Sequence, residues 1–146
     1  PTLVDLDTGP EDVLLKLFHN ADMAIASADG ARVLTGESDP VAAAKAMGRQ
    51  HPGLVAVTTG GDGAFWRAPM GDRINHVRPR RVETVDTLAA GDVFHGAYMV
   101  GLVNGLGLVE SVRLASAAAA MKPLEQGGRR GIPTRERLDA FMAERG

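Results

Sequence analysis

Two rhythms of apolar and polar positions alternate along the first sixty residues. Residues 3–7, Leu-Val-Asp-Leu-Asp, read as a short strand ending in carboxylates. Thr8 is placed to cap the helix that follows, with Pro10 in its first turn, Glu11 and Asp12 at its positive end, and Val13, Leu14, Leu17 and Phe18 on one face. The apolar run 23–26 predicts a second strand, and a helical stretch through Ala31, Val33 and Leu34 stops at Gly36. Ser38-Asp39-Pro40 opens another helix over 41–49, and the β-branched run 54–59 predicts a buried strand. Strands alternating with helices of about ten residues are the mark of βαβ units and a parallel sheet.

The rhythm changes after Gly60-Gly61-Asp62-Gly63. Runs 64–67 and 74–77 lie too close together for helical crossovers and read as short antiparallel edge strands. From Gly91 the pattern is helical: 93–103, 109–122, and 134–144 with Thr134 as its N-cap after Pro133. Residues 104–107, Asn-Gly-Leu-Gly, make the turn between the first two, and the small residues of 115–120 form a flat face that another element can approach closely. The chain contains no repeat, no low-complexity tail and no dividing linker, so 146 residues predict a single core of α/β class.

Composition narrows the functions. At 45% apolar and 23% charged residues, the chain has the balance of an ordinary soluble globular domain. Sixteen Lys and Arg against eighteen Asp and Glu give a net charge of -2, so no global positive field exists to hold a nucleic acid or an anionic membrane. The lack of cysteine excludes a disulfide scaffold, a thiolate metal site and a cysteine nucleophile, and fits a cytoplasmic location. No apolar run approaches the roughly 20 residues of a membrane helix, and the start Pro1-Thr2-Leu3 has neither a basic leader nor an initiating Met, as if cut from something longer.

The sharpest candidate for chemistry is 85–94, Val-Asp-Thr-Leu-Ala-Ala-Gly-Asp-Val-Phe, where small residues lead into a helix whose first turn carries Asp92. Bare amides and the helix dipole together make an anion hole there. A helix cap is what Asp usually means at such a position, and the local pattern alone does not decide between that reading and a catalytic one for Asp92. Residues 58–63, Thr-Thr-Gly-Gly-Asp-Gly, end a strand where ligands of open sheets collect, yet they match neither a Walker loop nor a dinucleotide fingerprint. Residues 126–131, Gln-Gly-Gly-Arg-Arg-Gly, make a basic loop that suits either a ligand or solvent. His19, His51, His76 and His95 show no metal spacing, and His95 shares a helix face with Asp92.

Taken together, residues 86–96, Asp-Thr-Leu-Ala-Ala-Gly-Asp-Val-Phe-His-Gly, resemble the C-terminal signature of the ribokinase-like, or phosphofructokinase B, carbohydrate kinases. Residues 58–63 fall where that family has its nucleotide loop, and 113–134 match its closing helix and adenine-side loop. The resemblance implies a ribokinase-like three-layer α/β/α, Rossmann-like fold. It also implies that residues 1–146 are the C-terminal, nucleotide-binding half, the sugar-binding half and lid lying outside this chain. It makes Asp92 the general base, with Ala89, Ala90 and Gly91 giving amides to the γ-phosphoryl group. Thr58, Gly60, Gly61, Gly63, Gly127 and Gly128 would line ATP, with Ser116 beside the adenine. Mg²⁺ accompanies the nucleotide, and K⁺ would be held by oxygens, mainly backbone, of Asp86, Leu88, Lys122, Glu125, Gly127 and Gly131.

One departure stands out. Many relatives carry Asn-x-x-Glu before Leu-Thr-Gly, whereas Ser27-Ala28-Asp29-Gly30 precedes Leu34-Thr35-Gly36 here, a gap similar to that of ketohexokinase-like and some bacterial ketose or sulfosugar kinases. The resemblance therefore implies an ATP-dependent sugar kinase whose partners are ATP and a small sugar, with a homodimer conceivable through the lid. These 146 residues alone are expected to be inactive. The alternative is a non-catalytic nucleotide-binding module, since a chain without sugar site and lid neither excludes water nor holds a sugar.

Overall fold

The first strand, β1 (Leu3–Leu6), ends where the chain turns through Gly9 into α1 (Glu11–Asn20). A computed structural model describes residues 1–144 of the chain. Pro10, and not Thr8, occupies the N-cap of α1, and no side chain caps that end. With its first turn carrying Glu11 and Asp12, the helix opens on favourable charge rather than on a hydroxyl. β2 (Met23–Ser27) leads directly into α2 (Ala28–Thr35), whose N-cap Ser27 accepts the Gly30 amide at 3.0 Å. Gly36, at φ 74°, ends α2 in the left-handed conformation that glycine adopts without strain. Asp39 caps α3 (Pro40–Gln50) through the Ala42 amide at 2.8 Å, within the tripeptide expected to open this helix.

β3 (Leu54–Thr58) pairs parallel with β2, and β2 pairs parallel with β1. β4 (Ala64–Arg67) returns antiparallel to β3, and β5 (Ile74–Val77) completes the five-stranded order β1-β2-β3-β4-β5. Parallel strands followed by short edge strands are what the spacing of the apolar runs implied. The core of this part gathers Leu6, Leu14, Phe18, Ala24, Met47 and Val57 around the sheet. Each fully buried large side chain here contributes about 1.5–3 kcal/mol.

The chain divides into two compact units, residues 1–76 and the portion from Val77 onward, where a single core was expected. The reason is local: residues 78–89 form no helix or strand, and the helices beyond them bury their own cluster of Val93, Leu114, Ala118, Met121 and Leu138. These helices are α4 (Ala90–Val103), α5 (Leu108–Met121) and α6 (Arg135–Ala143), the last capped by Thr134. The close approach of α5 to α4 lies at Ser111, outside the small-residue stretch 115–120. A Cβ on Gly101 of α4 would lie 2.7 Å from the Ser111 hydroxyl, so the two helices meet at van der Waals limit. Among the described residues no helix is long and apolar enough to cross a membrane.

Candidate active site

In the second unit, the approach to α4 is built from Asp86. Its carboxylate accepts the Leu88 amide at 2.9 Å and the Gly127 amide at 2.8 Å, and the Val85 and Asp86 amides both donate to the Pro123 carbonyl. The Leu88 amide foremost, then the Gly127 amide and the Lys122 charge, hold the Asp86 carboxyl below the ordinary aspartate value against partial desolvation. Asp86 is thus a structural anchor that ties the segment before α4 to the loop after α5.

Ala89 follows at φ 65°, a left-handed conformation that costs an alanine of order 1 kcal/mol and occurs where surrounding structure enforces it. It is the N-cap of α4 and offers no side-chain oxygen. The helix begins at Ala90, three residues earlier than the apolar pattern predicts, so Asp92 stands inside the first turn and not at the cap. The capping explanation of Asp92 fails on this point. Its side chain is exposed and makes no hydrogen bond among the described residues. Of the amides expected to face an anion, that of Ala90 donates to the Thr87 carbonyl at 3.1 Å, whereas those of Ala89 and Gly91 have no partner among the described residues. A strained turn, free N–H groups at a helix N-terminus and an uncommitted carboxylate beside them provide hydrogen-bond donors for a developing anion and an acceptor for a proton.

A cleft of about 550 Å³ opens next to Asp92, walled by Val93, Ala97, Val100, Leu114 and Leu138, with Gly128 and Arg129 on its border. Its lining is almost wholly apolar, which suits protein or ring surface better than a hydroxyl-rich sugar. Ser116 does not reach this cleft; it is 6% exposed within α5. His95 packs against Phe94 with its Nδ1 2.7 Å from the Gly91 carbonyl, so it braces the first turn of α4.

The positions expected to hold a monovalent cation do come together, but not as an open shell of oxygens. Lys122, wholly buried, directs its Nζ onto the Asp86 carbonyl at 3.1 Å. The Lys122 carbonyl receives the Glu125 amide at 3.4 Å, and the Glu125 carboxylate pairs with Arg137 at 3.0 Å. Gly127, at φ 93°, spends its amide on Asp86. Gly131 presses on Lys122: a Cβ there would fall 2.2 Å from the Lys122 carbonyl oxygen and 2.8 Å from its Cδ. A free K⁺ would compete for the Asp86 carbonyl with an ammonium already bound to it, so the residues present do not fit that ion. Sequence reasoning assigned Lys122 only its carbonyl, because nothing in the order of residues reveals where a long side chain turns.

In the first unit, the Thr58–Gly63 turn is closed from within. The Thr59 amide and hydroxyl both donate to the Gly63 carbonyl, at 2.8 and 2.9 Å, and Gly60 and Gly63 take φ 60° and 96°. Thr58 donates its hydroxyl to the Ala26 carbonyl at 3.3 Å, stapling β3 to β2. Gly60 and Gly61 are exposed, with open space where a side chain would stand. His76, stacked on Phe65 at 4.1 Å between ring centres, holds the Asp62 carbonyl at 2.7 Å. The departure at 27–30 also has a cause. A Cβ on Gly30 would lie 2.1 Å from the Leu6 carbonyl oxygen, so no glutamate is accommodated where many relatives have one. Asp29 is exposed and pairs with Arg32 at 3.3 Å.

Comparison with known proteins identifies the family and the fold. The profile of pfkB family carbohydrate kinases matches residues 2–135. The chain is 30% identical over 145 residues to the ribokinase of Haemophilus influenzae, covering 95% of this chain and 47% of that protein. A crystal structure from Agrobacterium tumefaciens, provisionally named a ribokinase, superposes with a TM-score of 0.94 at 35% identity, over 97% of this chain and 47% of that one. A Vibrio cholerae fructokinase double mutant, crystallised with fructose, ADP and potassium ion, gives 0.80 at 25% identity over 90% of this chain and 44% of that one. The chain therefore spans about half the length of the relatives it matches.

Proposed function

The chain belongs to the pfkB family of carbohydrate kinases, and from this premise we propose that it is the C-terminal, nucleotide-binding half of an ATP-dependent sugar kinase, with Asp92 as general base. The observation that carries the reading is the exposed Asp92 carboxylate, free of hydrogen bonds among the described residues, beside the free Ala89 and Gly91 amides at the start of α4. In the reaction, a hydroxymethyl oxygen of the sugar attacks the γ-phosphorus of ATP while its proton passes to Asp92. The bond from phosphorus to the β,γ-bridging oxygen breaks, the electron pair leaves with ADP, and the amides of Ala89 and Gly91 donate to the phosphoryl oxygens as charge shifts. Ala90, whose amide is turned to Thr87, contributes its small side chain rather than a donor.

Mg²⁺ supplies neutralisation of the phosphate charge when bound with the nucleotide. Since Gly30 excludes a glutamate at the family's usual position, the metal depends on the phosphates and on groups other than that side chain. Within the first unit, Thr58, Gly60, Gly61 and Gly63 remain the proposed nucleotide contacts. The sugar is bound by the complementary half of the enzyme. Relatives named ribokinase and 1-phosphofructokinase are 30% and 33% identical to this chain, so no acceptor is favoured. An ADP-release screen of the protein that carries this chain, against ketoses, aldopentoses, nucleosides and sulfosugars, tests the reading. A sugar-dependent signal supports it, and ATP binding without any acceptor turnover favours a non-catalytic nucleotide-binding module.

A further inference from the structure

We propose that Lys122 is a built-in replacement for a free monovalent cation, so that the enzyme works without K⁺. Burying a lysine wholly is expensive unless its charge is met inside the protein. Here it is met three times: by the Asp86 carbonyl at 3.1 Å, by the nearby Asp86 carboxylate, and by the C-terminal end of α5, where Lys122 is the cap residue and the helix dipole is negative. The ammonium group is a monovalent cation similar in size to K⁺, tethered to the backbone and needing no ion from solution.

Its position gives it a task. The carbonyl it binds belongs to Asp86, whose carboxylate in turn fixes the Leu88 amide, one residue before the strained Ala89. The lysine thereby orders the same turn that presents the free Ala89 and Gly91 amides. Gly131 seals the arrangement, since only a residue without Cβ allows the chain to close over the Lys122 carbonyl and stem. A lysine placed merely to fill space does not require its charge on a carbonyl three residues from the anion hole. Lys122 is thus a positioning residue, acting through Asp86 and the 86–91 turn.

The proposal rests on the kinase reading for its consequence but not for its structural content, and the experiment separates the two. The protein carrying this chain and its Lys122→Ala and Lys122→Met variants are compared in KCl, NH₄Cl and tetramethylammonium chloride at equal ionic strength, by melting temperature and by kcat and KM. Wild type is expected to melt and turn over alike in all three salts. Lys122→Ala is expected to lose about tenfold or more in kcat in tetramethylammonium, with KM for sugar little changed, and to regain most of it in K⁺ or NH₄⁺. Its melting temperature should likewise rise in K⁺ alone or NH₄⁺ alone but not in the bulky cation. Lys122→Met, which keeps the stem and removes the charge, should lose activity in every salt, since its side chain blocks a free ion. K⁺-specific stabilisation or several-fold activation of wild type overturns the proposal. So does a Lys122→Ala variant that keeps full activity in tetramethylammonium, or one whose defect no small cation relieves. If no sugar is turned over, the kinase reading fails while the melting comparison still decides the cation question; if the variants do not fold, the wild-type comparison decides it.

Discussion

Substituting Gly30 by alanine puts a methyl group where the backbone of β1 already is. The added Cβ would sit 2.1 Å from the Leu6 carbonyl oxygen and 2.5 Å from that of Asp7, against an ordinary contact of at least 3.4 Å, so α2 must move off the strand by more than 1 Å. Backbone is the obstacle, and no side chain can rotate away. The movement would pull Ala31 and Leu34, both buried on α2, from a core they share with Leu6 and Ala26. It would also strain the Ser27 cap on the Gly30 amide. Overpacking of this kind costs about 1–3 kcal/mol, and the helix propensity regained by alanine offsets at most about 1 kcal/mol. A net loss of about 2 kcal/mol is expected in urea unfolding of the intact protein. Gly61→Ala is the control: open space surrounds that position and its backbone is not left-handed, so stability should change by no more than about 0.5 kcal/mol. Should Gly30→Ala unfold at the wild-type urea midpoint, the close approach is wrong, and with it the explanation for the missing glutamate. Gly30→Glu, which restores the family residue, should unfold the protein rather than improve Mg²⁺ use.

Tyr98 is wholly buried, and burial pushes its hydroxyl up to about 12. The folded form therefore keeps its proton while the unfolded chain loses it near pH 10, so stability present below pH 10 should fall between pH 10 and 12; Tyr98→Phe should flatten that fall in urea midpoints measured across the range. Arg67, buried, donates to the carbonyls of His51, Gly53 and Gly71, and Arg67→Met should cost about 2–4 kcal/mol by leaving them unpaired, read by thermal unfolding. A polypeptide of these 146 residues by itself should bind ATP yet release no ADP in response to any sugar, and sugar-dependent ADP release from it would refute the assignment of acceptor binding to the complementary half.

The alternation of apolar runs was enough to place β4 and β5 at their observed bounds and to foresee the parallel order of β1 to β3, because strand and helix periods differ plainly over such short segments. Thr134 was legible as a cap because Pro133 precedes it and the helix begins at once, whereas residues 38–40 marked the start of α3 without singling out its cap, Asp39. Thr8 misled, because Pro10 sets the helix start two residues later. At α4 the apolar pattern began at Val93, and small residues carry no periodicity, so the true start at Ala90 was invisible, as was the lack of any side-chain cap at that end. The left-handed Ala89 and the inward turn of Lys122 arise from tertiary contacts with the segment after α5, which no local pattern encodes. The division into two units was missed for a related reason: residues 78–89 contain neither the glycine nor the serine runs that mark a linker.

The central claim is that Asp92 accepts the proton of the sugar hydroxyl, and Asp92→Asn in the protein carrying this chain tests it with nearly no change in shape. Because Asp92 lies inside the first turn of α4 and caps nothing, the amide should leave the melting temperature within about 2 °C of wild type, apart from a small loss of helix-dipole attraction. ATP affinity should hold or rise, since a negative charge beside the γ-phosphate is removed. Under saturating sugar and MgATP, kcat should fall by about 100-fold or more. If Asp92→Asn keeps most of the wild-type kcat, Asp92 is not the base and proton transfer to its carboxylate is contradicted.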